Sequence, residues 1–172
     1  MMAAAGRFSR FVVLITLALL LQVSVAAHLT LFGYVIDVLL LVAVSAGVNG
    51  GSDRGAVIGF GCGLAADLVV QTPFGMWILA MSVIGYAAGG ATNQLVDGGR
   101  GVRSLAVGVI AASGVGLFVG LAWLLDLSYV VERPVAVIIA VTALGSALLN
   151  PLVERPVRWG LLIRPNFAGT PA

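Results

Sequence analysis

The sequence predicts an all-α protein, a polytopic membrane bundle of about six transmembrane helices. Of its 172 residues 60% are hydrophobic and 9% are charged, and the mean hydropathy is +1.13. A soluble domain carries about 25% charged residues. The hydrophobic residues also lie in runs of about the length that crosses a bilayer as a helix, which satisfies every backbone polar group without water. One transmembrane domain covering residues 1–172 is therefore expected.

Six hydrophobic segments can be read along the chain. They are residues 11–27, 29–48, 55–70, 74–92, 104–125 and 134–152. Asp37 interrupts the second segment, whose continuous part begins at Val38. The third segment would be about 24 Å long, which is short for a hydrocarbon core of about 30 Å. In the sixth, Asn150-Pro151 is expected to loosen or end the helix, and Pro156 argues against one continuous helix beyond it.

The arginines support this division and orient it. All nine basic residues are arginine, and if the N-terminus is cytoplasmic, eight of them fall inside and only Arg133 falls outside. Such a bias over short loops is the positive-inside pattern. It predicts six spans with both termini cytoplasmic, whereas five spans would divide the arginines between the two sides. An alternative stays open, because the first segment also resembles a signal peptide, and cleavage after Ala27 would leave five spans with the same sidedness.

The sequence carries no pattern of enzymatic chemistry. The single histidine, His28, and the single cysteine, Cys62, lie in different segments, so neither a nucleophile–base pair nor a metal-ligand spacing exists. The arginines form no run of the kind that binds nucleic acid. We therefore expect a non-catalytic protein with no cofactor, no metal site and no nucleic-acid partner.

Asp67 is the most informative residue because it lies inside the third segment. A charge within a span costs about 2.5–3.5 kcal/mol on insertion scales, so such a residue is kept for a reason. Gly59, Gly63 and Asp67 are spaced four apart and share one helix face. Small residues at this spacing let another helix pack closely. The short turn with Pro73, which suits a helix start, and Gly75 makes the third and fourth helices antiparallel neighbours.

The fourth segment carries a stripe of small and polar residues at near-heptad spacing. Its members are Gly75, Ser82, Tyr86, Gly89 and Asn93. We hypothesise that this stripe packs on the face that carries Asp67, and that a hydroxyl group of Ser82 or Tyr86 donates a hydrogen bond to the carboxylate. In the alternative interpretation, the glycines only permit tight packing.

Asp37 is expected near the outer end of the second helix, at a depth similar to that of Asp67. Helix two enters from outside and helix three leaves towards outside, so both carboxylates could line one cavity in the outer half of the membrane. The alternative for each is an interfacial residue whose carboxylate reaches water.

At these residues the chain resembles the MreD family, the rod shape-determining membrane proteins of bacteria. That family is marked by a pattern close to G-F-x-x-G-L-x-x-D, then P-x-G, then G-Y-x-x-G. The matching residues here are Gly59-Phe60, Gly63-Leu64, Asp67, Pro73, Gly75, Gly85-Tyr86 and Gly89. Asp37 and the apolar residues after it resemble the family's P-D-L-L-L, although Ile36 stands where proline is expected.

The resemblance implies a non-catalytic scaffold or regulator of the cell-elongation machinery in the bacterial inner membrane. Its partners would be an MreC-like protein, a RodA-type glycosyltransferase, a class B penicillin-binding protein and the MreB cytoskeleton. Its role would be to support peptidoglycan synthesis and rod cell shape. Helices would dock through the small-residue faces, with Asp67 and Tyr86 fixing the geometry inside the bundle.

The family also resembles the six-helix substrate-binding subunits of energy-coupling-factor vitamin transporters, so one fold allows two functions. In the second function, Asp37 and Asp67 would line an outward-facing pocket for a small molecule. Such pockets present several hydrogen-bond donors and acceptors. Apart from the two aspartates, the outer half offers little more than Gln71, Thr72, Ser128, Tyr129, Glu132 and Arg133. This sparse set favours the scaffold.

Overall fold

The computed structural model describes residues 2–28, 37–70, 72–92, 99–126 and 134–161. Within these ranges the chain forms six α-helices and no β-strand, so the all-α fold class is confirmed. The helices are α1 (Met2–His28), α2 (Val38–Gly50), α3 (Ser52–Val69), α4 (Met76–Gly90), α5 (Arg100–Leu124) and α6 (Val135–Gly160). Each of them overlaps one of the six predicted hydrophobic segments.

Asp37 determines where α2 begins. The helix starts at Val38, and the Asp37 Oδ1 atom accepts a hydrogen bond from the Leu40 N–H at 3.0 Å. An aspartate in this position satisfies a backbone donor that the first turn of a helix leaves without a partner. The charge that interrupts the second hydrophobic segment is therefore a capping residue. Residues 29–36 of that segment lie outside the described part of the chain.

α6 runs through both of its prolines, Pro151 and Pro156. The helix therefore does not end at Asn150-Pro151 and is not broken at Pro156, so those expectations were wrong, while a loosening at Asn150-Pro151 stays a prediction. Each proline removes one intrahelical hydrogen bond. The last turns nevertheless pack on the bundle through Val153 and Val157, which are 8% and 1% exposed. This tertiary burial holds the helix together beyond the point where the local sequence favours an end.

α2 forms the centre of the bundle. All of its residues from 38 to 48 are buried, and it contacts each of the other five helices. A helix that is apolar on every side belongs in a core. With 13 residues it is much shorter than α1, α5 and α6, which have 27, 25 and 26 residues. The longer helices therefore enclose a short central one.

The two ends of the bundle differ in charge. At one end Arg10 of α1 lies over Trp159 of α6, and Arg103 of α5 lies beside Glu154 of α6. We call it the arginine end. At the other, the aspartate end, Asp37 begins α2 and Asp67 contacts the start of α4. Successive helices thus alternate in direction, as the distribution of arginines predicts.

The outer surface of the described helices is strongly apolar. Gly101–Leu124 and Val135–Gly160 are long and apolar enough to cross a membrane, and only 39% and 22% of their most apolar stretches are buried. Leu105, Leu144 and Leu148 on these helices are 65%, 67% and 77% exposed. Water does not favour so large an apolar surface. Two such helices are consistent with a membrane environment.

Candidate functional site

Asp67 caps the start of α4 from across the α3–α4 hairpin. Its Oδ2 atom accepts hydrogen bonds from the backbone N–H groups of Gly75 at 2.9 Å and Ile78 at 3.2 Å, and its Oδ1 atom accepts one from Trp77 at 3.2 Å. The residue is 7% exposed. A helix start has unpaired N–H groups and a partial positive charge, and both favour a carboxylate there. The buried carboxyl group is therefore satisfied by the backbone of the next helix.

The residue that precedes α4 supplies no capping side chain of its own. Gly75 precedes the first helical residue and has a φ of +100°, a conformation that glycine adopts without strain. The N–H of Met76 donates to the Pro73 carbonyl at 3.3 Å. The expectation that Pro73 lies at the start of the helix was wrong, because Pro73 lies in the turn and the helix begins at Met76. Pro73, Gly75 and Asp67 together shape the turn and satisfy the N–H groups of the first helical turn.

The glycine face of α3 packs directly on the backbone of α4. A Cβ atom added at Gly59 would collide with the Met81 carbonyl, and one added at Gly63 would lie 2.5 Å from the Ile78 Cα atom. Side chains at these positions would push the two helices apart. This contact places Asp67, one turn beyond Gly63, at the start of α4. The predicted packing of this face against the fourth helix is what the structure contains.

Sequence reasoning missed part of this contact. Gly55 lies one turn before Gly59, and a Cβ atom there would collide with the Gly85 carbonyl of α4 and would lie 2.7 Å from the Gly47 Cα atom of α2. Three helix backbones therefore meet at three glycines. Gly89 continues the contact, since a Cβ atom there would collide with the first residue of α3. The four-residue spacing from Gly55 onwards was the signal that could have revealed it.

The hydroxyl groups of α4 do not bind Asp67, so that hypothesis was wrong. The Ser82 Oγ atom donates to the Ile78 carbonyl of its own helix at 2.6 Å. Tyr86 is 56% exposed on the outer surface. Neighbouring residues of a helix point about 100° apart, so Gly85, which faces α3, turns Tyr86 away. The predicted stripe combined two faces of α4, and its member Asn93 lies outside the described residues.

Asp37 and Asp67 lie at the same end of the bundle, and the cavity that Asp37 lines with other described residues does not have Asp67 in its lining. Asp37 lines a cavity of about 60 Å³. The other residues lining it are Leu19, Gln22, Val23, Leu39, Ala66, Val69, Val70 and Trp77. The Gln22 side chain accepts a hydrogen bond from the Leu39 N–H at 3.0 Å, which ties α1 to the start of α2. Asp67 turns towards the N-terminus of α4, and a cavity shared by the two carboxylates stays a prediction.

A polar contact that sequence reasoning missed joins three helices near the arginine end. Asn150 of α6 is 2% exposed, and its Oδ1 atom accepts a hydrogen bond from the Ser45 Oγ atom of α2 at 3.2 Å. Its Nδ2 group donates to the Ser104 Oγ atom of α5 at 3.3 Å. A buried amide needs both kinds of partner. Asn150 therefore links α2 and α5 through α6.

Charged groups extend this contact to the end of the bundle. The Arg103 Nη2 group donates to the Asn49 Oδ1 atom at 2.6 Å. The Glu154 Oε1 atom lies 3.6 Å from a guanidinium nitrogen of Arg103 and 3.6 Å from one of Arg158. Glu154 therefore joins α5 to α6 beside two arginines. Together with Ser45, Ser104 and Asn150, these residues form what we call the polar network.

The α6 part of the polar network belongs to a regular pattern in the sequence. Thr142, Ser146, Asn150, Glu154 and Arg158 recur at four-residue intervals. The first three are 3%, 0% and 2% exposed, and the Ser146 Oγ atom has no hydrogen-bond partner among the described residues. This spacing is the same as that of Gly59, Gly63 and Asp67. A search for polar residues four positions apart in and after the sixth segment would have found this row of α6 residues.

No family model, curated protein or solved structure matches the chain. The resemblance to the MreD family therefore stays a prediction carried by the motif residues. The structure gives those residues a physical role: the glycines allow two helix backbones to touch, and Asp67 caps the second helix.

Proposed function

We propose that this protein is a non-catalytic integral membrane scaffold of the MreD type, acting in the cell-elongation machinery of the bacterial inner membrane. Its six helices would all span the membrane, with both termini and the arginine end in the cytoplasm. An MreC-like protein, a RodA-type glycosyltransferase and a class B penicillin-binding protein would be its partners, with MreB on the cytoplasmic side. The motif residues, the apolar exterior and the collection of arginines at one end support this proposal.

The observation that carries the proposal is the use of Asp67. Both of its carboxylate oxygens accept hydrogen bonds from the backbone of α4. Asp37 likewise accepts a hydrogen bond from the first turn of α2. A substrate-binding subunit would direct such groups into a pocket, where they orient the ligand. Here they hold helices in place, which favours the scaffold over the vitamin-type transporter subunit.

The cavity beside Asp37 supports the same choice. Its volume of about 60 Å³ is room for about one or two water molecules. Small-molecule pockets enclose about 300–1,000 Å³. A larger groove of about 490 Å³ lies between α1 and α3, but its lining includes Phe11, Ile15, Phe60 and Leu64. Such a lining suits hydrocarbon, and its one polar side chain, that of Thr16, is too little to orient a polar vitamin.

A partner would meet apolar surfaces of the bundle and not the small-residue faces. The glycine faces of α3 and α4 are buried against each other, so they dock helices within the bundle and are not open to a partner. Leu79, Val83 and Tyr86 instead form an outward stripe on α4, with exposures of 48%, 48% and 56%. The Tyr86 hydroxyl makes no hydrogen bond to the described residues. A partner helix in the membrane would supply one, so we assign the stripe to partner binding.

The test is recovery of partners from native membranes. The tagged protein is solubilised in mild detergent, captured and analysed by mass spectrometry against an untagged strain. We expect an MreC-like protein together with RodA or a class B penicillin-binding protein. Recovery of an energising transmembrane subunit with ATPases would overturn the scaffold and establish a solute-binding role.

Matched variants make the experiment specific to the α4 stripe. Tyr86→Ala should lower partner recovery several-fold without changing the thermal stability of the purified protein. Leu148→Ala is the control, since Leu148 is 77% exposed on α6, away from this stripe. An equal loss in both variants would contradict the assignment of the stripe.

A further inference from the structure

An apolar groove opens between α1 and α6, with α2 as its floor. Its volume is about 350 Å³. It is lined by Leu14, Leu17, Ala18, Leu21, Val38, Val42, Val153, Pro156, Val157 and Trp159. Leu17 and Trp159 on its edges are 60% and 54% exposed. The groove therefore faces outwards and offers its occupant only hydrocarbon and one indole ring.

A cation and an aromatic ring meet at the arginine end of this groove. The Arg10 guanidinium carbon lies 5.2 Å from the centre of the Trp159 ring, which is a cation–π distance. Arg10 forms no ion pair with a carboxylate among the described residues, whereas Arg158 is paired with Glu154. Arg155 lies one turn before Trp159 on α6 and is exposed. The rim therefore presents positive charge that the described protein does not neutralise.

The length of the groove indicates what fits it. The lined wall of α1 rises by about 10 Å from Leu14 to Leu21, and Arg10 lies one turn before it, so the cation is about 16 Å from the far end of the groove, at about 1.5 Å per residue. One leaflet of a bilayer has a hydrocarbon thickness of about 15 Å, half of the core of about 30 Å. A partner helix would instead need a surface across the full thickness. Basic pockets between helices on the cytoplasmic side are the places where proteins hold anionic lipid head groups.

We propose that this groove binds one anionic phospholipid of the cytoplasmic leaflet, with an acyl chain between α1 and α6 and the phosphate at Arg10. Trp159 covers the glycerol region, where aromatic rings lie in membrane proteins. The proposal uses the membrane orientation given above but no particular protein partner. Its binding test is carried out on the purified chain, so its failure would leave the scaffold role standing.

The test measures quenching of Trp159 by brominated lipid. The full-length protein in detergent micelles is titrated with phosphatidylglycerol brominated on its acyl chains, and with phosphatidylcholine brominated in the same way. The Trp159→Phe variant gives the contribution of the other two tryptophans, which is subtracted. We expect saturable quenching at a several-fold lower concentration of phosphatidylglycerol than of phosphatidylcholine. Unlabelled phosphatidylglycerol should reverse it.

Two variants with the same change in net charge locate the headgroup. Arg10→Gln should weaken phosphatidylglycerol binding about fivefold, as expected for one arginine near an anionic surface. Arg54→Gln is the control, since Arg54 is an exposed arginine of α3 at the same end, whereas Arg10 lies over Trp159, which lines the groove. Leu17→Gln, inside the groove, should weaken binding of both lipids.

Three results would overturn the proposal. Equal quenching by the two brominated lipids would remove headgroup recognition. Equal weakening by Arg10→Gln and Arg54→Gln would replace the site by a diffuse basic surface. Unlabelled phosphatidylcholine that competes as strongly as unlabelled phosphatidylglycerol would also remove headgroup recognition. This measurement needs no variant, so the test stays decisive if Arg10→Gln fails to fold.

Discussion

At the aspartate end Asp67 accepts hydrogen bonds from three backbone N–H groups of the next helix in the chain, whereas near the arginine end Asn150 pairs with hydroxyl groups on α2 and α5. The first contact joins residues no more than 11 positions apart, and the second joins Asn150 to Ser45, 105 positions away. The first arrangement fixes a hairpin. The second fixes how distant helices lie against one another.

This difference has a physical consequence for substitution. Backbone N–H groups cannot move away when Asp67 is removed, so they stay buried without an acceptor. Hydroxyl groups can rotate towards a carbonyl of their own helix, as Ser82 does. The aspartate end should therefore tolerate substitution less than the polar network.

The largest effect is expected from Gly63→Leu. The new side chain would have to displace the α4 backbone at Ile78, since a Cβ atom alone would lie 2.5 Å from its Cα atom. We expect a loss of about 3 kcal/mol or more in the free energy of unfolding, at or beyond the upper range for overpacking. The measurement is denaturant unfolding in mixed micelles, and Gly120→Leu is the control, because a Cβ atom at Gly120 meets nothing within 4 Å. Comparable losses in both variants would contradict the close α3–α4 contact.

The second effect is that of Asp67→Ala. It leaves the N–H groups of Gly75, Trp77 and Ile78 without their acceptor. The expected loss in the free energy of unfolding is about 2–3 kcal/mol, larger than for a single surface cap because the site is buried. Asp67→Asn keeps one acceptor oxygen and should lose about half as much.

Asp53→Ala is the control for this prediction. Asp53 is an exposed carboxylate in the first turn of α3, where it lies near the positive end of the helix dipole and has no hydrogen bond or ion pair with the described residues. We expect a loss of about 0.5 kcal/mol there. If the two alanine variants unfold alike, Asp67 has no special internal role.

How far the sequence predicts this molecule depends on the distance over which residues interact. The helices follow from hydrophobic runs, and the α3–α4 contact follows from the spacing of Gly59, Gly63 and Asp67 across a short turn. What Asp67 binds was not predictable in the same way. We expected the Asp67 carboxylate to accept a hydrogen bond from a hydroxyl group, because side-chain donors can be read from the sequence. Backbone N–H donors belong to every helix start, so no residue type marks them.

The end of α6 and the polar network show what local rules leave out. Pro151 is a reason to end a helix, and only the burial of Val153 and Val157 against other helices outweighs it. The stripe from Thr142 to Arg158 is visible in the sequence as a four-residue repeat. Its partners on α2 and α5 are not, because nothing in a single sequence states which helices are neighbours.

The third prediction concerns the coupling between Asn150 and Ser45. A double-mutant cycle with Asn150→Ala and Ser45→Ala should give a coupling free energy of about 0.6 kcal/mol, the average for hydrogen bonds between helices in membranes. The matched cycle replaces Ser45 by Ser113, whose Oγ atom donates to the Ile110 carbonyl of its own helix. That cycle should give no coupling. Coupling of equal size in both cycles would mean that Asn150 acts through the whole bundle and not through its contact with α2.

The smallest effect is expected at Glu154, and it separates charge from hydrogen bonding within the polar network. The Glu154 carboxylate is 22% exposed and lies 3.6 Å from each arginine. Glu154→Gln should therefore lower the free energy of unfolding by about 0.5 kcal/mol, and by less at high salt.

Arg158 pairs only with Glu154 among the described residues, whereas Arg103 also donates to Asn49 of α2 at 2.6 Å. Arg103→Gln should therefore cost more than Arg158→Gln, and the excess should persist at high salt because a hydrogen bond is screened far less than an exposed ion pair. If the two variants lose equal stability and salt removes both losses, the arginine end is held by surface charge alone. The two ends of the bundle would then differ in the strength of their contacts, and not in the way that they bind a buried polar group.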